Sequence, residues 1–261
     1  MAKSSFQHLL SLLLLALALQ LSSCQEPNPY PYPSPVGDDC TNPNPPPPLT
    51  PPVINQTIKA NINKVVAKLV ASVPKTKFAT ASYGTGGSAI YGLLQCRADV
   101  NSTDCANCAK EAKAALAERC AMDGKARLWF QHCYLRYDTT KFFGKLDRMD
   151  YYITYNNGPN AADAKAFQAT VGKLMAEVTA KAVAPGKQAL GTGVAKVGAK
   201  TTVYGLAECT RDLPASVCSG CLATAVSKFQ TCCVGKERGL VLFGSCKVEY
   251  EVYPFFFPVK A

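Results

Sequence analysis

A chain of 261 residues, 48% apolar and 18% charged, has room for one or two domains and enough apolar surface to bury a core. Its net charge of +10 is spread along the chain without a basic run or helical stripe, so nucleic acid is a poor partner. The charge reads as a basic, soluble surface, with weak attraction to anionic polysaccharide or membrane surfaces as the sharper alternative.

The first predicted element is a targeting segment. Lys3 precedes an apolar run from Leu9 to Leu21, broken only by Ser11 and Gln20. That run is too short and too poorly flanked to span a bilayer, and it reads as a signal peptide over residues 1–24, cleaved near Ser23 to Gln25. Leu21-Ser22-Ser23-Cys24 also fits a bacterial lipoprotein signal, with Cys24 lipidated. No later stretch is long and apolar enough for a transmembrane helix, so the mature protein is expected to be secreted, extracellular and free of any membrane span. Residues 25–52 form a proline-rich arm, with Pro27, Pro29, Pro31, Pro33 and the run Pro45 to Pro48. Such a segment favours extended polyproline II: a stiff spacer, or a wall-contacting or glycosylated arm. Cys40 inside it is expected to tie the arm to the first domain.

From Val53 to Val73 the apolar residues Ile54, Ile58, Ile62, Val65, Val66, Leu69 and Val73 recur at helical spacing, and Pro74 is expected to end the helix. Lys77 to Ser82 and Ala89 to Leu94 read as strands joined through Gly84, Gly86 and Gly87. Asp104 is the expected N-cap of a helix from about Cys105 to Arg119. Residues 126–138 read as one strand, and Lys141 to Asn157 as a link with turn chemistry at Phe142-Phe143-Gly144 and Asn157-Gly158. A second helix–hairpin–helix–strand series follows: Ala161 to Val183, a glycine hairpin over Gly191 to Gly198, the helix of Cys218, and a last strand from Leu240 to Tyr253. The order is α+β.

That second series is a copy of the first. Cys96-x8-Cys105-x2-Cys108 recurs as Cys209-x8-Cys218-x2-Cys221, and Cys120 and Cys133 recur as Cys233 and Cys246, each at an offset of 113 residues. Tyr91-Gly92-Leu93 and Tyr137 recur at the same offset as Tyr204-Gly205-Leu206 and Tyr250. The period is too long for a solenoid and suits two small tandem domains.

The chain carries 13 cysteines; without Cys24 an even 12 remain, which in a secreted chain of small domains reads as a disulfide framework. Zinc would need four thiolates or histidines around one ion, and a redox CxxC an activated thiolate in a different setting. Only His132 among the histidines survives removal of the leader, so no metal or cofactor is expected. Gly193-x4-Gly198-Ala199-Lys200-Thr201 has one residue too many for a phosphate-binding loop and falls on the duplicated hairpin. With no nucleophile–base constellation, the chain does not read as an enzyme.

The repeated C-x8-C-x2-C frame resembles the plant cysteine-rich repeat secretory proteins. Their unit is the ginkbilobin-homologous, or salt-stress-response/antifungal, domain. The Tyr-Gly-Leu strand, the Cys232-Cys233 pair and the ending Tyr250-Glu251-Val252-Tyr253-Pro254-Phe255 agree with it, and the resemblance covers about Cys40 to Tyr253. It implies two domains, at 40–155 and 156–261, each with two helices on a five-stranded antiparallel sheet. It also implies the bridges Cys40–Cys120, Cys96–Cys105, Cys108–Cys133, Cys209–Cys218 and Cys221–Cys246. The second repeat lacks a counterpart of Cys40, so Cys232 and Cys233 stay open, a strained vicinal bridge being one alternative.

The family's single-domain antifungal member resembles a mannose-binding lectin. Here Arg127 and Asp138 occupy its arginine and acidic places, and Asn42 lies one step from its asparagine place, which holds Thr41. In the second repeat Glu251 keeps the acid and Leu240 replaces the arginine. A guanidinium fork and a carboxylate suit paired sugar hydroxyls, while a cross-strand ion pair on a sheet face is the plainer role. The resemblance implies an apoplastic, non-enzymatic protein of defence, antifungal or stress response, binding mannose-type or other wall or fungal glycan. The alternative is a platform or co-receptor ligand for a cell-surface receptor; either would act as a monomer or weak dimer. Asn55-Gln56-Thr57 and Asn101-Ser102-Thr103 are N-glycosylation acceptors.

Overall fold

The computed structural model describes residues 35–40, 55–120, 124–147, 153–155 and 158–258. The expected signal peptide over residues 1–24, Asn42 and most of the proline-rich arm lie outside the described residues.

The first repeat opens with strand β1 (Gly37–Asp39), then helix α1 (Gln56–Thr76), β2 (Phe78–Tyr83), β3 (Ile90–Cys96), α2 (Ser102–Arg119), β4 (Ala126–Trp129) and β5 (Cys133–Asp138). The second has β6 (Ile153–Tyr155), α3 (Ala164–Val183), β7 (Leu190–Val197), β8 (Thr201–Cys209), α4 (Ala215–Ser227), the short α5 (Phe229–Cys232), β9 (Gly239–Leu242) and β10 (Cys246–Glu251). The sheets have the orders β1-β4-β5-β3-β2 and β6-β9-β10-β8-β7, and every pairing is antiparallel. This is the two-helix, five-stranded α+β unit, twice.

Each sheet has one face under its helices. In the first repeat α1 buries Ile62, Val65, Val66, Leu69 and Val73, and α2 buries Ala109, Ala112 and Leu116, against Leu94, Leu128, Leu135 and Tyr137 of the sheet. The glycine of the repeated Tyr-Gly-Leu sits where helix and sheet approach closely. A Cβ on Gly92 would lie 2.4 Å from Val65 Cγ1, and one on Gly205 2.9 Å from Leu174 Cγ. The flanking residues of that triplet point to the opposite face, because side chains alternate along a strand. There Tyr91 meets Phe143 edge-on at 6.0 Å and Tyr204 meets Phe256 at the same 6.0 Å. Phe142-Phe143 and Phe255-Phe256 are therefore one more duplicated feature: after its last strand, each repeat folds an aromatic tail over the helix-free face of its own sheet.

Four local expectations are corrected. Helix α1 runs through Pro74 and ends at Thr76, where Lys77 turns left-handed (φ 57°) and donates its N–H to Val73 O. The proline sits in the last turn, where its missing N–H removes a single helical bond. The N-cap of α2 is Asn101, whose Oδ1 accepts from Asp104 N at 2.9 Å, so Asp104 lies inside the first turn. The single strands expected over 126–138 and 240–253 are hairpins, β4–β5 and β9–β10, with the register Leu128↔Leu135 and Val241↔Val248.

Among the described residues six bridges close the framework: Cys40–Cys120, Cys96–Cys105, Cys108–Cys133, Cys209–Cys218, Cys221–Cys246 and the vicinal Cys232–Cys233.

The two repeats meet along a seam with reciprocal contacts. Trp129, Leu240 and Leu242 form a buried apolar cluster with Val36 and Tyr134 packed on it. Gln95 Nε2 donates to Glu208 Oε1 (3.1 Å) and Cys209 O (2.8 Å), while Gln95 Oε1 accepts from Arg211 N (2.9 Å). Each tail also reaches across to the other repeat: Gly144 N donates to Asp212 Oδ2 at 2.8 Å, and Phe257 N to Asp99 Oδ2 at 2.7 Å. Gly144 and Phe257, like Asp99 and Asp212, are equivalent positions at the 113-residue offset. The seam is thus self-complementary in the manner of a twofold dimer interface.

Candidate recognition site

Strand β4 places Arg127 on the helix-free face, opposite Asp39 of β1 and Arg136 of β5. Arg127 as a residue is only 5% exposed. Nη1 contacts Asp39 Oδ2 at 2.7 Å and Nε contacts Asp147 Oδ2 at 2.5 Å. Burial works against the charge, but the hydrogen bond to Asp147 and the field of Tyr134, Asp147 and Asp39 prevail, holding the guanidinium above its ordinary range.

Asp147 is shared. Arg136 Nη1 lies 3.2 Å from the same carboxylate oxygen, and Arg136 Nη2 lies 3.7 Å from Asp138 Oδ2. The Arg136 guanidinium also stacks 3.7 Å above the ring of Phe142 from the tail. Asp138 Oδ1 accepts from Thr140 N at 2.9 Å, which shapes the start of that tail. Arg127 and Asp138 therefore belong to one buried network but do not pair with each other; Arg136 and Asp147 stand between them. Asp147 is tied to the second repeat as well, its N–H donating to Ser245 Oγ at 2.8 Å. A Cβ on Gly244 would fall 1.9 Å from Asp147 Oδ2, so this approach needs glycine there.

In the second repeat Leu240 fills the place of Arg127 and joins the apolar seam. Glu251 keeps a cationic partner even so: Arg238 Nε lies 2.5 Å from its Oε1. Glu251 is 1% exposed, and burial raises its carboxyl to about 7, helped by neighbouring Glu249 and opposed by Arg238 and a hydrogen bond from Tyr253. Asp39, Arg136, Asp147 and Arg238 were not singled out in the sequence. The only local hint is Asp38-Asp39 ahead of Cys40; Asp147 sits in a link with no periodicity to mark it.

Asn55 and Asn101 are both exposed helix N-caps. Asn55 Oδ1 accepts from Thr57 N and Ile58 N at 3.1 and 3.3 Å. Asn101 Nδ2 additionally donates to Asp104 Oδ2 at 2.8 Å. Among the described residues there is no cluster of three or more metal-ligating side chains, and no helix is long and apolar enough to cross a membrane.

Comparison with known proteins matches the salt stress response/antifungal family at residues 49–140 and 154–253. The chain is 37% identical over 198 residues to cysteine-rich repeat secretory protein 38 of Arabidopsis thaliana, covering 76% of this chain and 78% of the relative. It is 38% identical over 205 residues to Arabidopsis cysteine-rich repeat secretory protein 55, covering 77% and 78%. An antimicrobial ginkbilobin-2-like protein of Castanea crenata is 37% identical over 195 residues, covering 75% and 80%. Among solved structures, the tandem DUF26 ectodomain of the Arabidopsis cysteine-rich receptor-like protein PDLP8 superposes with a TM-score of 0.70 at 25% identity, over 85% of this chain and 100% of that one. Secretory relatives and an ectodomain fold make this an extracellular protein. With two matched units, a shared cysteine frame and the same two-helix, five-stranded architecture in each, the chain belongs to the salt stress response/antifungal (DUF26) family as a tandem member.

Proposed function

We propose that the protein is a non-enzymatic extracellular recognition module, in which the domains over 40–155 and 156–261 act as one platform for a cell-surface receptor. One observation supports this over sugar binding. The Arg127 guanidinium is engaged on two edges by Asp39 and Asp147, and the residue is 5% exposed, so a hydroxyl pair would have to displace a carboxylate to reach it. Glu251 is likewise closed in by Arg238. The seam and the crossed tails hold the repeats in one orientation, as a two-domain binding surface requires.

A second reading, binding of a mannose-type wall or fungal glycan through Asn42, Arg127, Asp138 and Glu251, draws support from the antimicrobial name of the Castanea relative. The test uses the secreted, oxidised protein and Arg127→Ala on a glycan array, beside a panel of receptor ectodomains. The platform reading expects ectodomain binding and no mannose-type signal. Mannose binding by the wild type that vanishes in a still-folded Arg127→Ala would transfer the function to the glycan.

Asn55 and Asn101 are proposed glycan carriers. Attachment uses Nδ2 and leaves Oδ1 free, so both caps survive it; Asn101 loses only its bond to Asp104.

A further inference from the structure

The vicinal bridge Cys232–Cys233 differs from the other five in ways that bear on chemistry. Its cysteines are 1 residue apart, against separations of 80, 9, 25, 9 and 25 for the rest. The entropy that a crosslink removes from the unfolded chain grows with the loop it closes, so this bridge constrains almost nothing. Adjacent residues are held by the peptide bond at a Cα–Cα distance of 3.8 Å, short of the roughly 4.4–6.8 Å that disulfides prefer, and bridges forced off that range reduce more readily.

Access points the same way. Cys232 is half-buried at the end of α5, whereas Cys96, Cys105, Cys108, Cys133, Cys209, Cys218, Cys221 and Cys246 are all buried. The surrounding segment is also tied down by hydrogen bonds of its own. The short helix ends on Cys232 N→Lys228 O (2.9 Å) and Cys233 N→Phe229 O (3.2 Å), and the Tyr250 hydroxyl is shared between Cys233 O (3.2 Å) and Lys236 O (3.1 Å). None of these hydrogen bonds uses either sulfur. In the first repeat the position equivalent to Cys233 is Cys120, bridged to Cys40 across 80 residues. The second repeat keeps the cysteine while its bridge spans only the neighbouring residue.

We propose that Cys232–Cys233 is a thiol–disulfide exchange site that opens and closes on the folded protein. An extracellular small thiol, as its thiolate, attacks Sγ of Cys232, the more accessible sulfur. The Cys232–Cys233 bond breaks, a mixed disulfide forms on Cys232, and Cys233 leaves as a thiolate that takes up a proton. A second small thiol then attacks the mixed disulfide, releasing the oxidised thiol dimer and leaving both cysteines reduced. The reverse sequence restores the bridge.

The test is a glutathione and dithiothreitol titration of the full secreted protein, with alkylation of free thiols and peptide mass mapping at each step. Cys232 and Cys233 are expected to label together at a reductant concentration about tenfold below that needed for any other pair, with the near-ultraviolet dichroism unchanged. The competitor is Cys40–Cys120, since Cys40 is also half-buried. If that pair labels first, or if all six open in one step with loss of the dichroism, the proposal is wrong. The Cys232→Ser/Cys233→Ser double variant should fold with the wild-type dichroism and lose the low-reductant step. A variant that keeps the step, or that does not fold, overturns it equally.

Discussion

Arg127 shows how a residue that looks available for a ligand can be engaged inside the protein. Its partners Asp39 and Asp147 lie 88 and 20 residues away, and all three side chains are nearly inaccessible. Removing one member of a buried ion pair leaves uncompensated charge, which costs about 3–5 kcal/mol. Arg127→Ala should therefore lower the unfolding free energy by about that amount, read as a shift of the denaturant midpoint with the slope unchanged. A change below about 1 kcal/mol would place the guanidinium in solvent and reopen it to ligands.

Two buried titrating groups pull stability in opposite directions with pH. Glu251 is raised from 4.5 to about 7, so between those values the folded state binds the extra proton and stability falls as pH rises. His132 is lowered from 6.5 to about 4 by burial and then by Arg97, so between those values the unfolded state binds the proton and stability falls as pH drops. Glu251→Gln should match the wild-type melting temperature at pH 4.5 and exceed it above pH 7. His132→Asn should flatten the loss of stability between pH 6.5 and 4. A lower melting temperature for Glu251→Gln at alkaline pH would mean that the Arg238 pair outweighs burial.

At the scale of elements, helix-to-sheet contact is set by glycines, and their neighbours rank the cost of replacing them. On Gly92 a new Cβ meets Val65 Cγ1 and Leu69 Cδ1, side-chain methyls rather than backbone, of which the Leu69 end can rotate away. On Gly191 of β7 it meets the carbonyl of Val178, with O at 1.9 Å and C at 2.9 Å, where the α3 backbone itself would have to move. Gly92→Ala should cost about 1–3 kcal/mol as overpacking and leave the protein folded. Gly191→Ala should cost clearly more, visible as a lower melting temperature and yield of secreted protein. Equal effects would show that α3 shifts on its sheet as easily as a side chain rotates.

The elements were legible where their signal is local. The helical spacing of Ile62, Val65, Val66 and Leu69 and the repeated Tyr-Gly-Leu strand located the two layers. The strand break at Phe130 to His132 was not legible, because no Gly, Pro, Asn, Asp or Ser marks the turn at Phe130-Gln131-His132. The vicinal bridge was one of several pairings that spacing alone allows.

Across the whole molecule, the seam makes the repeats one unit. Trp129 of the first repeat and Leu240 and Leu242 of the second form one buried cluster across it, and the crossed tails add hydrogen bonds to Asp99 and Asp212. Calorimetry should therefore show a single transition rather than two. Asp212→Ala, which removes the acceptor of Gly144 N, should lower its midpoint by a few degrees, as expected for a loss of about 1 kcal/mol. Two resolved transitions in the wild type would show that the repeats are stabilised independently.

The sequence by itself determined the duplication, the secreted disulfide chemistry, the α+β unit and the family. Those rest on covalent spacing and short-range periodicity, which survive without coordinates. Only the tertiary structure decided which charges face which: that Arg127 meets Asp39 and Asp147, that Glu251 meets Arg238, and that each aromatic tail crosses to the other repeat. Such pairings join residues far apart in the chain, and their energies depend on distance and on exclusion of water, which the order of residues along the chain does not express.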